Sequence, residues 1–319
     1  MTAARLRPAP HILVEQAATR ADLPRFFREH DGKMEATTWG QFAAKVRQLA
    51  LVLDEAGLDR GQAVAIFATN SVDWAAAALA IQAAGGVMVP IYPSSTAEQA
   101  QYILDHCEAP FVFIDSADRD IGSARCQRFV LGDDRVYGRG QALDHASPAR
   151  MDELLSSVEM HDVGLMLYTS GTSGNPNGVP LTHHNLATNG ADWQELNAEL
   201  LGDDDVDLLW LPMSHIFGFG EACLGNTLGF TTYLCDPLTV LGRLAELRPT
   251  VFMSVPAYWE KLAQGVADLP TVDERRAELA RTTGGRLQFC LSGGAGLKRE
   301  VKELFYECGL LIIEGYGLT

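Results

Sequence analysis

The sequence predicts an α/β fold of parallel sheets with helices on both faces. Three observations carry that expectation. Apolar runs of strand length alternate with stretches of helical periodicity from about residue 60 onward, and this is the pattern that parallel sheets leave in a sequence. Apolar residues make up 47% of the 319-residue chain, so a large core is available. Four segments with chemical character each follow directly on a strand-like run, and the carboxyl ends of strands are where such folds place their sites.

After a short tail, His11 to His30 reads as a helix. Thr38 is placed to cap a second helix, whose apolar positions Phe42, Val46, Leu49, Ala50 and Leu53 keep helical spacing until Gly57 stops it. Ala63–Ala68 is a strand, Ser71–Ala84 a helix capped by Ser71, and Val87–Ile91 a strand. Thr96–Cys107 is a helix, with Thr96 and Gln99 spaced as a capping box. Phe111–Ile114 is a strand, and Asp115–Glu159 is polar and shows no regular element. A strand at Val163–Thr169 leads through a glycine-rich loop to a helix from about Thr182 to Leu200. Strands follow at Val206–Leu211, Thr231–Cys235, Val251–Val255, Leu287–Leu291 and Leu310–Ile313, with helices between them.

Composition excludes several classes. With 25 basic and 41 acidic residues the net charge is −16, which disfavours nucleic acid and anionic lipid as general partners. A local loop can still bind phosphate against that field. The six cysteines are scattered without a C-x-x-C pair, which argues against a disulfide framework or a zinc site and fits a reducing, cytoplasmic setting. The N-terminus has no apolar signal region. The longest apolar stretch, Trp74–Tyr92, is interrupted by Gln82, Gly85, Gly86 and Pro90, so no membrane span is expected.

The most informative segment is Tyr168–Val179, Y-T-S-G-T-S-G-N-P-N-G-V. Between Thr169 and Gly178 three residues are glycine and four carry hydroxyls. Backbone N–H and hydroxyl donors can therefore approach a phosphate with no side chain in the way. No G-K-[ST] ends the segment, so it is not the common nucleotide loop. A second segment, Leu211–Gly220, reads L-P-M-S-H-I-F-G-F-G and holds His215 with Phe217 and Phe219 close by; core packing is expected more of Phe217 than of Phe219. In the third, Leu291–Leu297, L-S-G-G-A-G-L, paired glycines allow a flat ring near the backbone. The fourth, Glu314–Thr319, E-G-Y-G-L-T, sets Tyr316 between two glycines, which leaves its face open to stacking.

In these residues the chain resembles the AMP-forming adenylating enzymes: acyl-CoA synthetases, fatty acyl-AMP ligases, luciferases and peptide-synthetase adenylation domains. The first segment is similar to that superfamily's phosphate loop, Y-T-S-G-T-T-G-x-P-K-G-V, with Ser173 in place of threonine and Asn177 in place of lysine. The second resembles the L-P-x-x-H-x-F of long-chain acyl-CoA synthetases. The third is similar to S-G-G-A-P-L, with Gly296 for proline, and the fourth to G-Y-G-x-T-E. Val87–Leu104 and Ser254–Leu262 look more like long-chain synthetases than amino-acid-activating domains.

The resemblance implies ATP, Mg2+ and fatty acid as ligands, with coenzyme A as co-substrate. Thr169, Ser170, Gly171, Thr172, Ser173 and Gly174 would wrap the ATP phosphates, Thr169 also lying near the magnesium. Asn177 stands where a lysine reaches the phosphates, so a neutral hydrogen bond, about half as strong, replaces a charge-assisted one. His215 would orient the acyl carboxylate and Phe219 would gate an acyl tunnel. Gly293, Gly294 and Ala295 would face adenine. Glu314 would accept from the adenine amine, Tyr316, between Gly315 and Gly317, would stack on adenine, and Thr319 would touch the α-phosphate. The catalytic set so implied is His215, Thr169 and Thr319.

The implied architecture is two layered sheet-and-helix subdomains, one over about residues 60–190 and one joining about 10–58 to 200–319. The chain is expected to stop before a β-barrel and a C-terminal lobe, and not to turn over alone. The implied reaction is ATP-dependent activation of a long-chain fatty acid to acyl-adenylate, followed by thioester formation to CoA. A fatty acyl-AMP ligase feeding a carrier protein remains an alternative. So does a nucleotide- or lipid-binding pseudoenzyme, for which Asn177 speaks.

Overall fold

The computed structural model describes residues 6–169, 176–202 and 204–317. The chain opens with α1 (Ala9–Arg20), the hairpin β1 (Pro24–His30) and β2 (Lys33–Thr38), and α2 (Trp39–Glu55). It continues through β3 (Ala63–Phe67), α3 (Val72–Ala83), β4 (Val87–Ile91), α4 (Ala97–His106), β5 (Phe111–Ile114) and β6 (Gln127–Val130). Next come α5 (Asp134–Ala146), α6 (Arg150–Ser157), β7 (Val163–Thr169), β8 (Asn177–Thr182) and α7 (His183–Leu196). The remainder is β9 (Val206–Leu209), α8 (Ile216–Leu228), β10 (Thr231–Leu234), α9 (Val240–Leu247), β11 (Val251–Ser254), α10 (Pro256–Gln264), α11 (Val272–Thr283), β12 (Phe289–Ser292), α12 (Arg299–Glu307) and β13 (Ile312–Glu314).

Among the described residues the strands form two sheets, ordered β13-β12-β11-β9-β10-β1-β2 and β6-β5-β3-β4-β7-β8. Pairing is parallel inside both sheets, as the alternation predicts. It turns antiparallel at one edge of each, between β1 and β2 and between β7 and β8. Every residue of β3, β4 and β5 is buried, which explains their unbroken apolar character: a central parallel strand has no solvent face. Helix α3 is apolar nearly all round and almost wholly buried. It lies at the join, where Trp74 meets Phe219 of α8 edge-on at 6.3 Å. The expected caps are present: Thr38 and Thr96 form capping boxes and Ser71 accepts from the Trp74 N–H.

Four expectations need correction. The helix placed over 11–30 ends at Arg20, and a strand begins at Pro24. That strand was masked by Arg25, which is fully buried and donates to the Asn226 side chain at 2.8 Å, to Thr232 Oγ1 at 2.6 Å and to the carbonyl of Ala222 at 3.1 Å. A charged residue on the inward face erases the apolar alternation. The Asp31-Gly32 pair, with φ of 49° and 72°, is the two-residue hairpin signal that does reveal it. Second, the segment 115–159 contains β6, α5 and α6. Of the two glycines that hide α5, Gly140 has a packing reason: a Cβ there would lie 2.3 Å from the backbone oxygen of Gln48 in α2. Ion pairs Arg47–Asp144 (2.6 Å) and Arg150–Asp54 (2.7 Å) close the same interface. Third, β8 occupies residues assigned to the loop, where Asn177 to Thr182 pair antiparallel with β7. Fourth, the helix extended to Leu200 stops at Leu196.

Candidate active site

A cavity of about 210 Å3 lies between α7 and the carboxyl ends of the seven-stranded sheet. Trp193 of α7 lines it, with His215 and Phe217 at the start of α8, the Gly293–Gly294 turn after β12, and Gly315, Tyr316 and Gly317 after β13. Residues of three predicted segments, far apart in sequence, therefore share one wall. Thr169 and Asn177 face each other across the β7–β8 ladder and are not among the residues lining this cavity. Ser170, Gly171, Thr172, Ser173, Gly174 and Thr319 lie outside the described residues.

His215 is held from several sides. Asn70, just past β3, donates to the carbonyl of Leu211 at 2.8 Å and accepts from the Met213 N–H at 2.9 Å. Trp210 Nε1 donates to the carbonyl of Met253 at 3.1 Å. These bonds fix the turn between β9 and α8. His215 is the N-cap of α8, and its Nδ1 accepts from the Phe217 N–H at 3.1 Å. An accepting Nδ1 requires the proton of the neutral ring on Nε2. Burial lowers the pKa of this imidazole, so the ring is a neutral Nε2–H donor at the cavity wall. Tyr92 stands beside it, ring centres 6.5 Å apart.

The two glycine segments are coupled through Glu314. One of its oxygens accepts from the Leu297 N–H at 3.1 Å and the other pairs with Lys302 at 2.7 Å. Lys302 first, then the Leu297 N–H, hold this carboxyl below its ordinary range. Each oxygen keeps a further lone pair, but Glu314's bonds within the protein tie the third segment to the fourth. Tyr316 is 94% exposed, so its ring face is free. Ala295 is exposed beside the turn without lining the cavity. The requirement at Gly293 has a local source: a Cβ there would stand 2.8 Å from the Phe217 ring. Phe217 and Phe219 thus differ from expectation. Phe217 reaches the cavity, whereas Phe219 is buried against Trp74 and lines a second, adjoining cavity.

The AMP-binding enzyme family matches residues 13–319. The chain belongs to the AMP-binding enzyme family. Its relatives include the long-chain-fatty-acid–CoA ligase FadD15 of Mycobacterium bovis, 30% identical over an alignment covering 91% of this chain and 56% of that protein. The long-chain-fatty-acid–CoA ligase ACSBG2 of Mus musculus is 27% identical, over 81% of this chain and 43% of that protein. The chain spans about half the length of these curated relatives. Among solved structures, the inhibitor-bound N-terminal domain of FACL13 from Mycobacterium tuberculosis superposes with a TM-score of 0.74 at 20% identity, covering 98% of this chain and 76% of that one. A fatty acyl-adenylate ligase from L. pneumophila, in complex with acyl adenylate and pyrophosphate, gives 0.74 at 18% identity, covering 94% and 52%. At these identities the likeness is one of fold, and it agrees with the expected two-sheet α/β architecture. Among the described residues no helix is long and apolar enough to cross a membrane.

Sequence inspection missed several residues that build this cavity. Asn70 directly follows a strand, as the predicted motifs do, and that position was its only signal. Glu221 lines the cavity yet is 2% exposed. Burial, then the nearby Asp207, raise its carboxyl well above the usual range, so it is held neutral. Burial also raises Asp207, to about 6. Arg25 and Thr232 complete this buried cluster under α8.

Proposed function

We propose that the chain activates a long-chain fatty acid with ATP, forming acyl-adenylate for transfer to the thiol of coenzyme A. The observation that carries this is His215, a neutral Nε2–H donor of fixed tautomer, on the wall of an apolar cavity that also meets the Gly293–Gly294 and Gly315–Gly317 turns. A carboxylate is a poor acyl donor because its leaving group would be oxide. Its oxygen instead attacks the α-phosphorus, the bond to the β-phosphate breaks, and pyrophosphate leaves with the electron pair. The thiol then attacks the acyl carbonyl carbon, loses its proton, and AMP departs. His215 Nε2–H orients the carboxylate by one hydrogen bond, and a donor fixed in place needs no reorganisation as charge moves to the phosphorus oxygens. Tyr316 offers its open face to adenine. Thr169 and Asn177 flank the segment assigned to the phosphates.

Among the described residues no group of three or more His, Cys, Asp or Glu is placed to hold a metal. A magnesium ion would have Thr169 as a neighbouring hydroxyl beside the nucleotide's phosphates, which suits an ion that keeps several waters. When bound it supplies charge neutralisation for the departing pyrophosphate.

Two cavities support a long acyl chain. The second, about 310 Å3, lies behind the first against α1 and shares Asn189, Gly190, Ile216, Gly220 and Leu224 with it. A Cβ on Gly190 of α7 or Gly220 of α8 would meet nothing within 4 Å, so the two glycines leave a window between the helices. Gly220→Leu should fill it. Leucine is favoured over glycine in a helix by roughly 0.8 kcal/mol, so folding is not compromised. The affinity ratio between a sixteen-carbon and a four-carbon acyl-adenylate mimic should fall about tenfold in this variant, the loss expected for a few displaced methylenes. An unchanged ratio would show that the chain takes another path.

The function itself is tested by calorimetric titration of the protein with a long-chain acyl sulfamate of adenosine, a non-hydrolysable acyl-adenylate mimic, and with AMP. The mimic should bind at least about tenfold tighter, since it adds apolar burial to the same nucleotide contacts. Equal affinity, or none for the mimic, would count against fatty acid activation.

A further inference from the structure

The second cavity carries polar side chains on a wall that the first does not share. Arg7 and His183 line the second cavity only, together with Ala9 and Ile12 of α1. His183 opens α7, seven residues before Gly190, and so lies about 10 Å along the helix axis from the window between the cavities. An acyl chain that passes the window and follows α7 toward its start reaches these two residues with its far end.

Both residues hold polar atoms that the protein leaves unpaired. Arg7 Nε and His183 Nδ1 are buried without a hydrogen-bond partner among the described residues, and so is Nδ1 of His11 in α1. Leaving such an atom unmade costs the desolvation of the group with no bond in return. The three side chains form one cluster. Burial first, and also the charge of Arg7, lower the pKa of His11. Burial lowers His183 to about 4, opposed by Asp162 and reinforced by His11. Both imidazoles are therefore neutral near pH 7, and each has one N–H and one lone pair. Arg7 stays a cation. Its Nη1 pairs with Glu15, and its Nε–H is the donor left over.

Resting on the function proposed above, we infer that the second cavity selects a fatty acid with a hydroxyl at its far end, and that Arg7 and His183 recognise that hydroxyl. Its oxygen accepts from the Arg7 Nε–H and its proton goes to the imidazole lone pair, so one group meets a donor and an acceptor at once. A methyl end meets neither. A second carboxylate accepts but cannot donate, and its charge would leave water beside an arginine that Glu15 already neutralises.

The test titrates the purified protein with AMP and with three adenosine sulfamates of equal chain length, made from hexadecanoic acid, its terminally hydroxylated form and its terminal diacid. The hydroxylated mimic should bind about tenfold tighter than the plain one, the scale of a hydrogen bond to a charged group. Arg7→Met removes the donor and His183→Leu the acceptor, and in each variant the preference should fall below about twofold. AMP binding reports that each variant is folded. Equal affinity for the plain and hydroxylated mimics, a preference that survives either substitution, or tightest binding of the diacid overturns the inference and leaves the proposed function standing. Failure of all three mimics to bind tighter than AMP overturns the proposed function and the inference with it.

Discussion

Replacing Gly218 by alanine should destabilise the protein by about 2 kcal/mol, although alanine is normally the better helix former by about 1 kcal/mol. Gly218 lies in the first turn of α8, and a Cβ there would stand 2.4 Å from the carbonyl oxygen of Pro212 and 2.7 Å from that of Leu211. Both obstacles are backbone, so no rotamer change relieves them. The helix must move off the turn that Asn70 and Trp210 hold in place. The displacement falls on His215, three residues earlier, so affinity for the acyl-adenylate mimic should drop with stability. Gly220→Ala is the matched control. It sits in the same helix, two residues on, and its Cβ meets nothing within 4 Å, so it should gain a few tenths to about 1 kcal/mol. Urea unfolding of the two variants decides the matter, and a raised midpoint for Gly218→Ala would show that the turn yields freely.

These two glycines mark what the sequence could reveal. The predicted segments were legible because each follows a strand, and parallel-sheet topology delivers such positions to one end of the molecule. His215 and the Gly293, Gly315 and Tyr316 turns accordingly meet around one cavity. The contacts that shape the cavity were not legible, because they join residues far apart in sequence. Asn70 braces Leu211 and Met213, and Gly293 is small because Phe217 fills its space. Nothing in L-S-G-G-A-G-L refers to a phenylalanine more than seventy residues earlier. The same cause explains the missed elements. Arg25 reads as a surface charge until β10 and α8 provide its acceptors, and Gly140 reads as a helix breaker until α2 crosses it. Local signals, by contrast, transferred well: the capping boxes at Thr38 and Thr96 involve partners three residues apart.

Acid should loosen the α7 wall of the site through His183. This first residue of α7 is 2% exposed, and its Nδ1 has no hydrogen-bond partner among the described residues. Its ring lies against Gly164, where a Cβ would come within 2.6 Å of it. Burial, only partly offset by the charge of Asp162, lowers its pKa to about 4. The unfolded chain binds a proton at this residue near pH 6.5, the ordinary histidine value. Between those limits the unfolded state holds more protons, so the contribution to stability is complete above about pH 6.5 and is lost as pH falls toward 4. The loss approaches about 3 kcal/mol at 1.36 kcal/mol per unit. Asp207 works in the opposite sense. Its raised pKa, about 6, makes the folded state the better proton binder across part of the same range, so the wild-type curve mixes both slopes. His183→Gln separates them, because it removes one titration and leaves the Asp207–Glu221 cluster in place. From pH 7 to pH 4.5 the wild type should lose roughly 2 kcal/mol more than the variant in urea unfolding. Parallel curves would mean that the imidazole reaches solvent or a partner in solution. Because His183 also lines the second cavity, the same titration, followed by binding of the long-chain mimic, shows whether acid opens the wall before the whole fold gives way.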